Sequence, residues 1–405
     1  MLSGMNQVLL ALILGQPPAS PSAPVEPFAA VARQHFAAWD RDSDGELSAL
    51  EIDKACVDPT ISGAQGAAVA ALKRIVRSER YEVPRLTLEF VTAPPARNAV
   101  APADRDRADS PEGASSTAPK RPPNLEAAYR SCVRRIGAAK RDLFLDETPD
   151  LDKCRQGPLG DCFFVASVGA AVHRDPLFVK SMMTREEDGR YTVRFPGRSV
   201  TLLELTDAEV ALSSTTGDEG LWLPVLEKAM GTMRQAAAPE RYAMESATDA
   251  IAKGGSSATV IRMLTGHETE RIQLRRRVKV GGDGKPAVYE LRPAGEADAL
   301  AAQVREKVPA ALAARRLVTA GSPTEVPLPP GINGKHAYAI LSFDAEKDAL
   351  TMWNPHGNTF RPKGDSGLEH GYPTRAGVFV MPVSDFVRTF SGVVLETDRE
   401  AARRN

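Results

Sequence analysis

Residues 94–123 read PPARNAVAPADRDRADSPEGASSTAPKRPP, and this run constrains the fold more than any other stretch. Proline, alanine, serine and charge leave too little apolar surface to offset the entropy of ordering, so a disordered linker is expected there. It divides the 405 residues into a small N-terminal module over 24–93 and a larger block over 124–395. No period of the solenoid type runs through either block.

Lysine plus arginine number 51 against 52 for aspartate plus glutamate, a formal charge of −1. That balance gives no electrostatic reason to expect a nucleic-acid or anionic-membrane partner. Hydrophobic residues at 42% and charged residues at 25% exclude collagen, a coiled-coil rod and wholesale disorder. The four cysteines, Cys56, Cys132, Cys154 and Cys162, contain no CxxC pair, which argues against both a zinc site and a disulfide scaffold. Buried free thiols are the expectation for Cys56, Cys132 and Cys154. The apolar run Val8 to Leu14 is far shorter than the ~20 residues that span a bilayer, so no stable membrane insertion is expected. With small residues from Ala19 to Ala23 it fits a signal peptide over 1–23, although residues 1–7 lack lysine and arginine. The balance favours export, periplasmic or secreted, over an apolar tail on a cytoplasmic protein. Oligomeric state is not legible.

In the N-terminal module, Asp40-Arg-Asp42-Ser-Asp44-Gly45-Glu46-Leu47-Ser48-Ala-Leu-Glu51 matches the twelve-residue EF-hand loop. Asp40, Asp42 and Asp44 converge because Gly45 permits the sharp turn. The Glu46 carbonyl, Ser48 and a bidentate Glu51 complete an oxygen shell for one Ca2+ ion. Phe28 to Trp39 supplies the entering helix. EF-hands pair, and Ala67 to Arg77 followed by Val83 to Leu88 provides a second helix and strand, with Leu86 opposite Leu47. That alignment puts Glu79, Tyr81 and Val83 where donors should stand, so the second hand is expected to be metal-free. A small all-α module results.

The larger block begins helical. Leu125 to Ala139, Phe163 to Val172 and Leu221 to Met233 carry apolar residues at helical spacing. Later, Tyr338 to Phe343 and Ala349 to Trp353 read as a hairpin turning at Asp344 to Asp348, followed by a strand at Gly377 to Met381 and a helix at Ser384 to Phe390. A helical half, then an antiparallel β half, without βαβ alternation, predicts an α+β domain with a cleft between the halves.

Cys162 stands in Gln156-Gly-Pro-Leu-Gly160-Asp161-Cys162-Phe163, a glycine turn before an apolar helix. A thiol at a helix N-terminus feels the positive end of the dipole, which favours the nucleophilic thiolate. The Gln156 amide and the Cys162 backbone N–H together offer an oxyanion hole. A thiolate needs a base, and six histidines compete: His35, His173, His267, His336, His356 and His370. With Phe343 facing Ala349 in the hairpin, Tyr338 faces Asn354, so His336 and Asn354 share a face within side-chain reach. His356 shares that face too, and spacing alone does not choose between the two histidines.

These residues resemble the calpain family of papain-like cysteine proteases. Gln156-Gly157 and Leu159 to Cys162 are similar to that family's nucleophile segment, His336-Ala-Tyr338 to its histidine segment, and Asn354-Pro355-x-Gly357 to its asparagine turn. Trp222-x-x-x-Leu226-Glu227-Lys228-Ala229, Gly254-Gly255-Ser256 and Gly377 to Phe390 fall in the family's order, so the resemblance spans 124–395. It implies a papain-like catalytic domain acting on protein or peptide substrates. Cys162 would be the nucleophile, His336 the base, Asn354 the orienter and Gln156 the oxyanion donor. Gly255 and Lys335 would border the substrate. The alternative is a catalytically silent, calcium-dependent binding module on the protease scaffold.

Departures from the family pattern carry expectations of their own. Phe163 follows the nucleophile where tryptophan is usual. His356 replaces a tryptophan that shields the triad, and Lys335 replaces a glycine. Lys153 and Gly220 replace carboxylate calcium ligands of the protease core, so that core is not expected to be a calcium switch. With the linker between them, calcium is expected to order residues 24–93, to change turnover modestly, and to act on the core only by docking of the module.

Overall fold

The structure is a computed structural model that describes residues 25–78, 80–96, 99, 120–145, 148–242, 246–280 and 288–401. The candidate signal peptide, Glu79 and nearly all of the expected linker lie outside the described residues.

Four helices build the N-terminal module: α1 (Phe28–Trp39), α2 (Ala49–Cys56), α3 (Gly63–Val76) and α4 (Leu88–Thr92). The first matches the expected entering helix. Ser48 starts α2 because its side chain accepts from Glu51 N–H while the Glu51 carboxylate accepts from Ser48 N–H, a reciprocal cap that satisfies two N-terminal donors. The two helix–loop–helix units meet edge to edge, with Leu47 N–H donating to the Leu86 carbonyl at 3.1 Å and Glu46 bridged to Thr87. Phe28, Phe36, Trp39, Ile52, Leu72 and Leu86 fill the space between them.

That core does not end at the module. Leu125, Tyr129 and Cys132 of α5 (Leu125–Ala138) complete it, and so do Ala208, Ala211 and Leu212. Polar contacts tighten the same junction: Thr206 Oγ1 donates to the Cys56 carbonyl at 2.5 Å, and Gly63 N–H donates to Asp207 at 2.5 Å. The expectation of a module held apart and meeting the protease block only by docking is therefore corrected. Helix α5 spends its apolar face on α3, and packing, unlike composition, draws no boundary at residue 124.

Beyond α5 come α6 (Cys162–Arg174) and α7 (Pro176–Ser181), then a small antiparallel sheet of β1 (Met183–Arg185), β2 (Tyr191–Phe195) and β3 (Arg198–Leu202). Helices α8 (Asp207–Leu212), α9 (Trp222–Ala237), α10 (Pro239–Tyr242), α11 (Ala247–Ala252) and α12 (Ser257–Thr265) follow. The helical half thus carries a three-stranded sheet absent from the sequence expectation.

The remaining strands are β4 (His267–Gln273), β5 (Arg275–Lys279), β6 (Tyr289–Pro293), β7 (Val318–Gly321), β8 (Ala337–Asp344), β9 (Ala349–Trp353), β10 (Val378–Pro382) and β11 (Gly392–Glu400), with α13 (Ala297–Ala313) and α14 (Val383–Thr389) among them. Six of these strands form one antiparallel sheet in the order β10-β9-β8-β7-β11-β4, while β5 and β6 form a separate ribbon. Both faces of the sheet are covered. Ala337, Ala339 and Trp353 face a core shared with α6 and α9, while Tyr338, Ile340, Leu350, Met352 and Phe379 face one shared with α13 and α14. Period-two alternation divides these residues between the faces.

Helix α6 lies close on the sheet. A Cβ on Gly169 would stand 2.3 Å from the Trp353 ring, so only glycine lets the helix come this near. Its N-terminus, where Cys162 stands, is thereby fixed relative to the ends of β8 and β9.

The hairpin register needs one correction. Asp344, not Phe343, faces Ala349, and a bulge between Ile340 and Ser342 then restores the expected pairing further in, with Ala339 opposite Trp353. The extra residue cancels the one-residue error before the strands reach His336 and Asn354.

Candidate active site

His336 and Asn354 leave the sheet side by side, one just before β8 and the other just after β9. His336 Nε2 and Asn354 Oδ1 are 2.8 Å apart. The amide cannot be turned over, because Asn354 Nδ2 donates to Asn333 Oδ1 at 2.9 Å and to Asn358 Oδ1 at 3.0 Å. Asn354 Oδ1 also accepts from His356 N–H at 3.0 Å. With the amide oxygen facing the ring, Nε2 must carry the hydrogen, which leaves Nδ1 as the proton acceptor.

The surroundings hold this pair rigidly. Ser322 Oγ accepts from His336 N–H at 3.0 Å, and the Tyr338 hydroxyl accepts from Asn333 N–H at 2.7 Å. The Tyr338 ring stands edge-on to His336 at 5.0 Å. The His356 ring stacks on His336 at 4.3 Å with 32° between the planes. His356 is buried and covers the flank of His336, while the asparagine amide serves the His336 ring. Geometry therefore separates the two histidines that spacing left equivalent. Asn333 and Asn358 were missed, and an asparagine four residues beyond Asn354 is too weak a signal to have flagged them.

The nucleophile turn is joined to this asparagine turn through the backbone, since Gln156 N–H donates to the Pro355 carbonyl at 2.8 Å. Cys162 opens α6 and is the one partly exposed cysteine; Cys56, Cys132 and Cys154 are buried and form no disulfide. Burial pushes the Cys56 thiol up to about 12 and the Cys154 thiol further still, so neither supplies thiolate near neutrality. Gln156 is only 2% exposed. Its Nε2 donates to the Leu159 carbonyl at 2.8 Å and to Asp161 Oδ1 at 3.0 Å, so both amide hydrogens are engaged within the turn.

Gly255 is exposed beside the Phe163 ring, and a Cβ there would come within 2.5 Å of that ring. Arg234 braces the Gly254-Gly255 segment, donating to the Gly254 carbonyl at 2.8 Å with its guanidinium 5.5 Å from the Phe163 ring centre. Lys335 is exposed at the rim with φ of 51°, a left-handed conformation that glycine adopts without strain and lysine does not.

In the N-terminal loop, the carboxylates of Asp40, Asp42 and Asp44 lie within 4.8 Å of one another, and Gly45 turns with φ of 84°. Glu51 closes the loop, accepting from Arg41 N–H at 2.7 Å and from the Ser48 hydroxyl at 2.8 Å. Burial opposes its charge, but hydrogen bonds from Ser48, Arg41 and Asp42 prevail and hold its carboxyl below the usual range. The donor set is all oxygen and mostly anionic, which fits a hard divalent cation. The Glu46 side chain turns away to Arg85, leaving its carbonyl as the group it can offer.

Lys153 Nζ pairs with Asp218 at 2.8 Å, and Gly220 turns with φ of 101°. A lysine ammonium thus stands where the resemblance implied a cation ligand. No helix among the described residues is long and apolar enough to cross a membrane.

The sequence model of the calpain family cysteine proteases matches residues 109–367. No curated protein matches the chain.

Proposed function

The chain belongs to the calpain family of cysteine proteases, and we propose that it is an active, calcium-binding endopeptidase working through Cys162, His336 and Asn354. The observation that carries this reading is the 2.8 Å contact of His336 Nε2 with an asparagine oxygen that two further asparagines hold in place. A scaffold has no need of a ring held in one tautomer beside a helix that begins with cysteine.

In this reading His336 Nδ1 takes the Cys162 proton, and the Sγ electron pair forms a bond to the scissile carbonyl carbon. The carbonyl electrons move to oxygen, and the oxyanion accepts from the Cys162 backbone N–H and from Gln156, which shares with it a hydrogen now given to the Leu159 carbonyl. Collapse breaks the C–N bond as His336 returns its proton to the leaving amine, giving a thioester. Water, deprotonated by His336, then releases the acid and restores the thiol. Gly255 offers an exposed backbone to the substrate, and Lys335 gives the rim a positive charge.

A thiol-directed epoxide tests the nucleophile. One equivalent is expected on the native protein, mapping to Cys162, with the three buried cysteines unmodified. Slow, equal modification of all four would refute it.

Calcium is proposed for the Asp40–Glu51 loop, held by Asp40, Asp42, Asp44, the Glu46 carbonyl, Ser48 and Glu51. The ion would neutralise the clustered carboxylates and order the loop, and it takes no part in bond chemistry. Calorimetry is expected to show one site, lost in Glu51→Gln and filled poorly by magnesium, which demands a tighter octahedral shell. Heat unchanged by Glu51→Gln would place the cation elsewhere.

A further inference from the structure

Beneath the nucleophile turn lie two carboxyl groups, Asp161 and Glu227, each 0% exposed and close enough for the charge of one to act on the other. Burial, and then the Asp161 charge, hold the Glu227 carboxyl well above its ordinary range, which favours the proton on Glu227 over one on Asp161.

The remaining contacts close a ring. Glu227 accepts from Ser214 N–H at 3.0 Å and is 3.1 Å from the Ser214 hydroxyl, which itself accepts from Gly157 N–H at 3.3 Å. Asp161 Oδ1 accepts from Gln156 Nε2 at 3.0 Å. The path runs from Gln156 through Asp161, Glu227 and Ser214 back to Gly157, the residue after Gln156. It leaves one cost: Gln156 Oε1 is buried without a hydrogen-bond partner among the described residues. Turning the amide over would be worse, because its oxygen would then meet the Leu159 carbonyl and the Asp161 carboxylate, two acceptors and no donor. The amide is held this way round because Asp161 can only accept.

We propose that Asp161 and Glu227 are a positioning pair for the reaction, one carboxylate and one carboxylic acid that keep the N–H end of the Gln156 amide at the nucleophile turn. The pair touches no substrate and acts through Gln156, so this inference rests on the reading of Gln156 as oxyanion donor. Glu227 interrupts the otherwise apolar start of α9, Trp222 to Leu226, and a carboxyl there is not explained by packing.

The test measures kcat of the full chain on an internally quenched peptide for Gln156→Ala, Glu227→Ala, Glu227→Gln and the double alanine variant. Gln156→Ala and Glu227→Ala are each expected to lose about 10²–10³-fold, the effect of one oxyanion donor. The double variant should lose no more than either alone, since both act through one amide. Glu227→Gln should restore most of the turnover, because its amide N–H replaces the acid proton toward Asp161. Independently of activity, the infrared spectrum at neutral pH should contain a protonated-carboxyl C=O band that disappears in Glu227→Gln. Losses that multiply in the double variant, or a Glu227→Gln as impaired as Glu227→Ala, would overturn the positioning role. Absence of the band in the native protein would overturn the shared proton. Full activity of Gln156→Ala would instead refute the oxyanion reading, and with it any role for the pair in turnover, even if the band is present. Should Glu227→Ala fail to fold, Glu227→Gln and the band decide.

Discussion

Replacing Cys162 or His336 by alanine is expected to lower turnover by a factor on the order of 10⁶, and replacing both to lower it little further, because nucleophile and base act as a unit. Asn354→Ala should be less severe, since the amide orients the ring and takes no part in bond making. It nonetheless releases the ring tautomer and removes the Nδ2 donor that Asn333 and Asn358 now accept from at 2.9 and 3.0 Å. His356→Ala separates this account from its nearest rival. The His356 ring lies 4.3 Å from His336, but the asparagine oxygen faces His336 Nε2. His356→Ala should therefore keep appreciable turnover. If it were as inactive as His336→Ala, the base has been assigned to the wrong histidine.

The second large effect is on stability. Lys73 of α3 is 1% exposed, and its ammonium lies 2.6 Å from Asp249 in α11 and 2.8 Å from Asp53 in α2. Arg77 adds a contact to Asp249 at 2.9 Å. Lys73→Ala removes the shared cation and leaves two carboxylates facing each other at the junction. Breaking a buried ion pair from one side costs on the order of 3–5 kcal/mol, enough to lower the melting temperature strongly. The two carboxyls shift in opposite directions, burial outweighing Lys73 to hold Asp53 above its ordinary value, and the sign follows from the more deeply buried Asp249. Burial raises the Asp249 carboxyl, but Lys73 and Arg77 prevail and hold it below its ordinary value. Its contribution is therefore complete above the unfolded value, near pH 4, and is lost as pH falls through the lower folded value. The deficit of Lys73→Ala should accordingly be largest near neutrality and shrink in acid, where protonation removes the uncompensated charge. Thermal melts across pH check both; a deficit that grows in acid would contradict this account.

The same contacts change the expectation about calcium. Asp53 lies two residues beyond Glu51 on α2, and Lys73 joins it to Asp249 on α11. The end of α11 lies against the nucleophile turn, where a Cβ on Gly160 would stand 2.8 Å from the Ala252 carbonyl. A cation at the Asp40–Glu51 loop would thus have a contiguous packed route to Cys162, and docking across a loose linker is not required.

Much of this was legible because it is local. The Asp40–Glu51 loop, the glycine turn before Cys162, the ends of α1 and α5 and the start of α9 follow from residue spacing within a few turns of chain, whereas α9 runs one turn past the expected Met233 to Ala237. The inner register, with Ala339 facing Trp353, was also legible, although the turn end is offset by one residue and the bulge near Leu341 restores it. What stayed hidden is long-range. Lys73 and Asp249 are 176 residues apart, and a lysine among the alanines of α3 reads as a solvated position until its partners are known. Strands β1 to β3 were missed as well. Tyr191 to Phe195 alternates apolar and polar residues, but Arg198 to Leu202 is mostly polar, and its buried residues, Val200 and Leu202, count only once the helices cover them.

The most direct measurement is cleavage of an internally quenched peptide by the purified full chain, with the fragments identified by mass and Cys162→Ala as control. Internal cleavage with multiple turnovers is expected of the native protein, and none of a Cys162→Ala chain that melts at the same temperature. Cleavage that persists in Cys162→Ala, or a folded native chain that forms the epoxide adduct yet cleaves neither peptides nor casein with calcium present, would contradict that expectation.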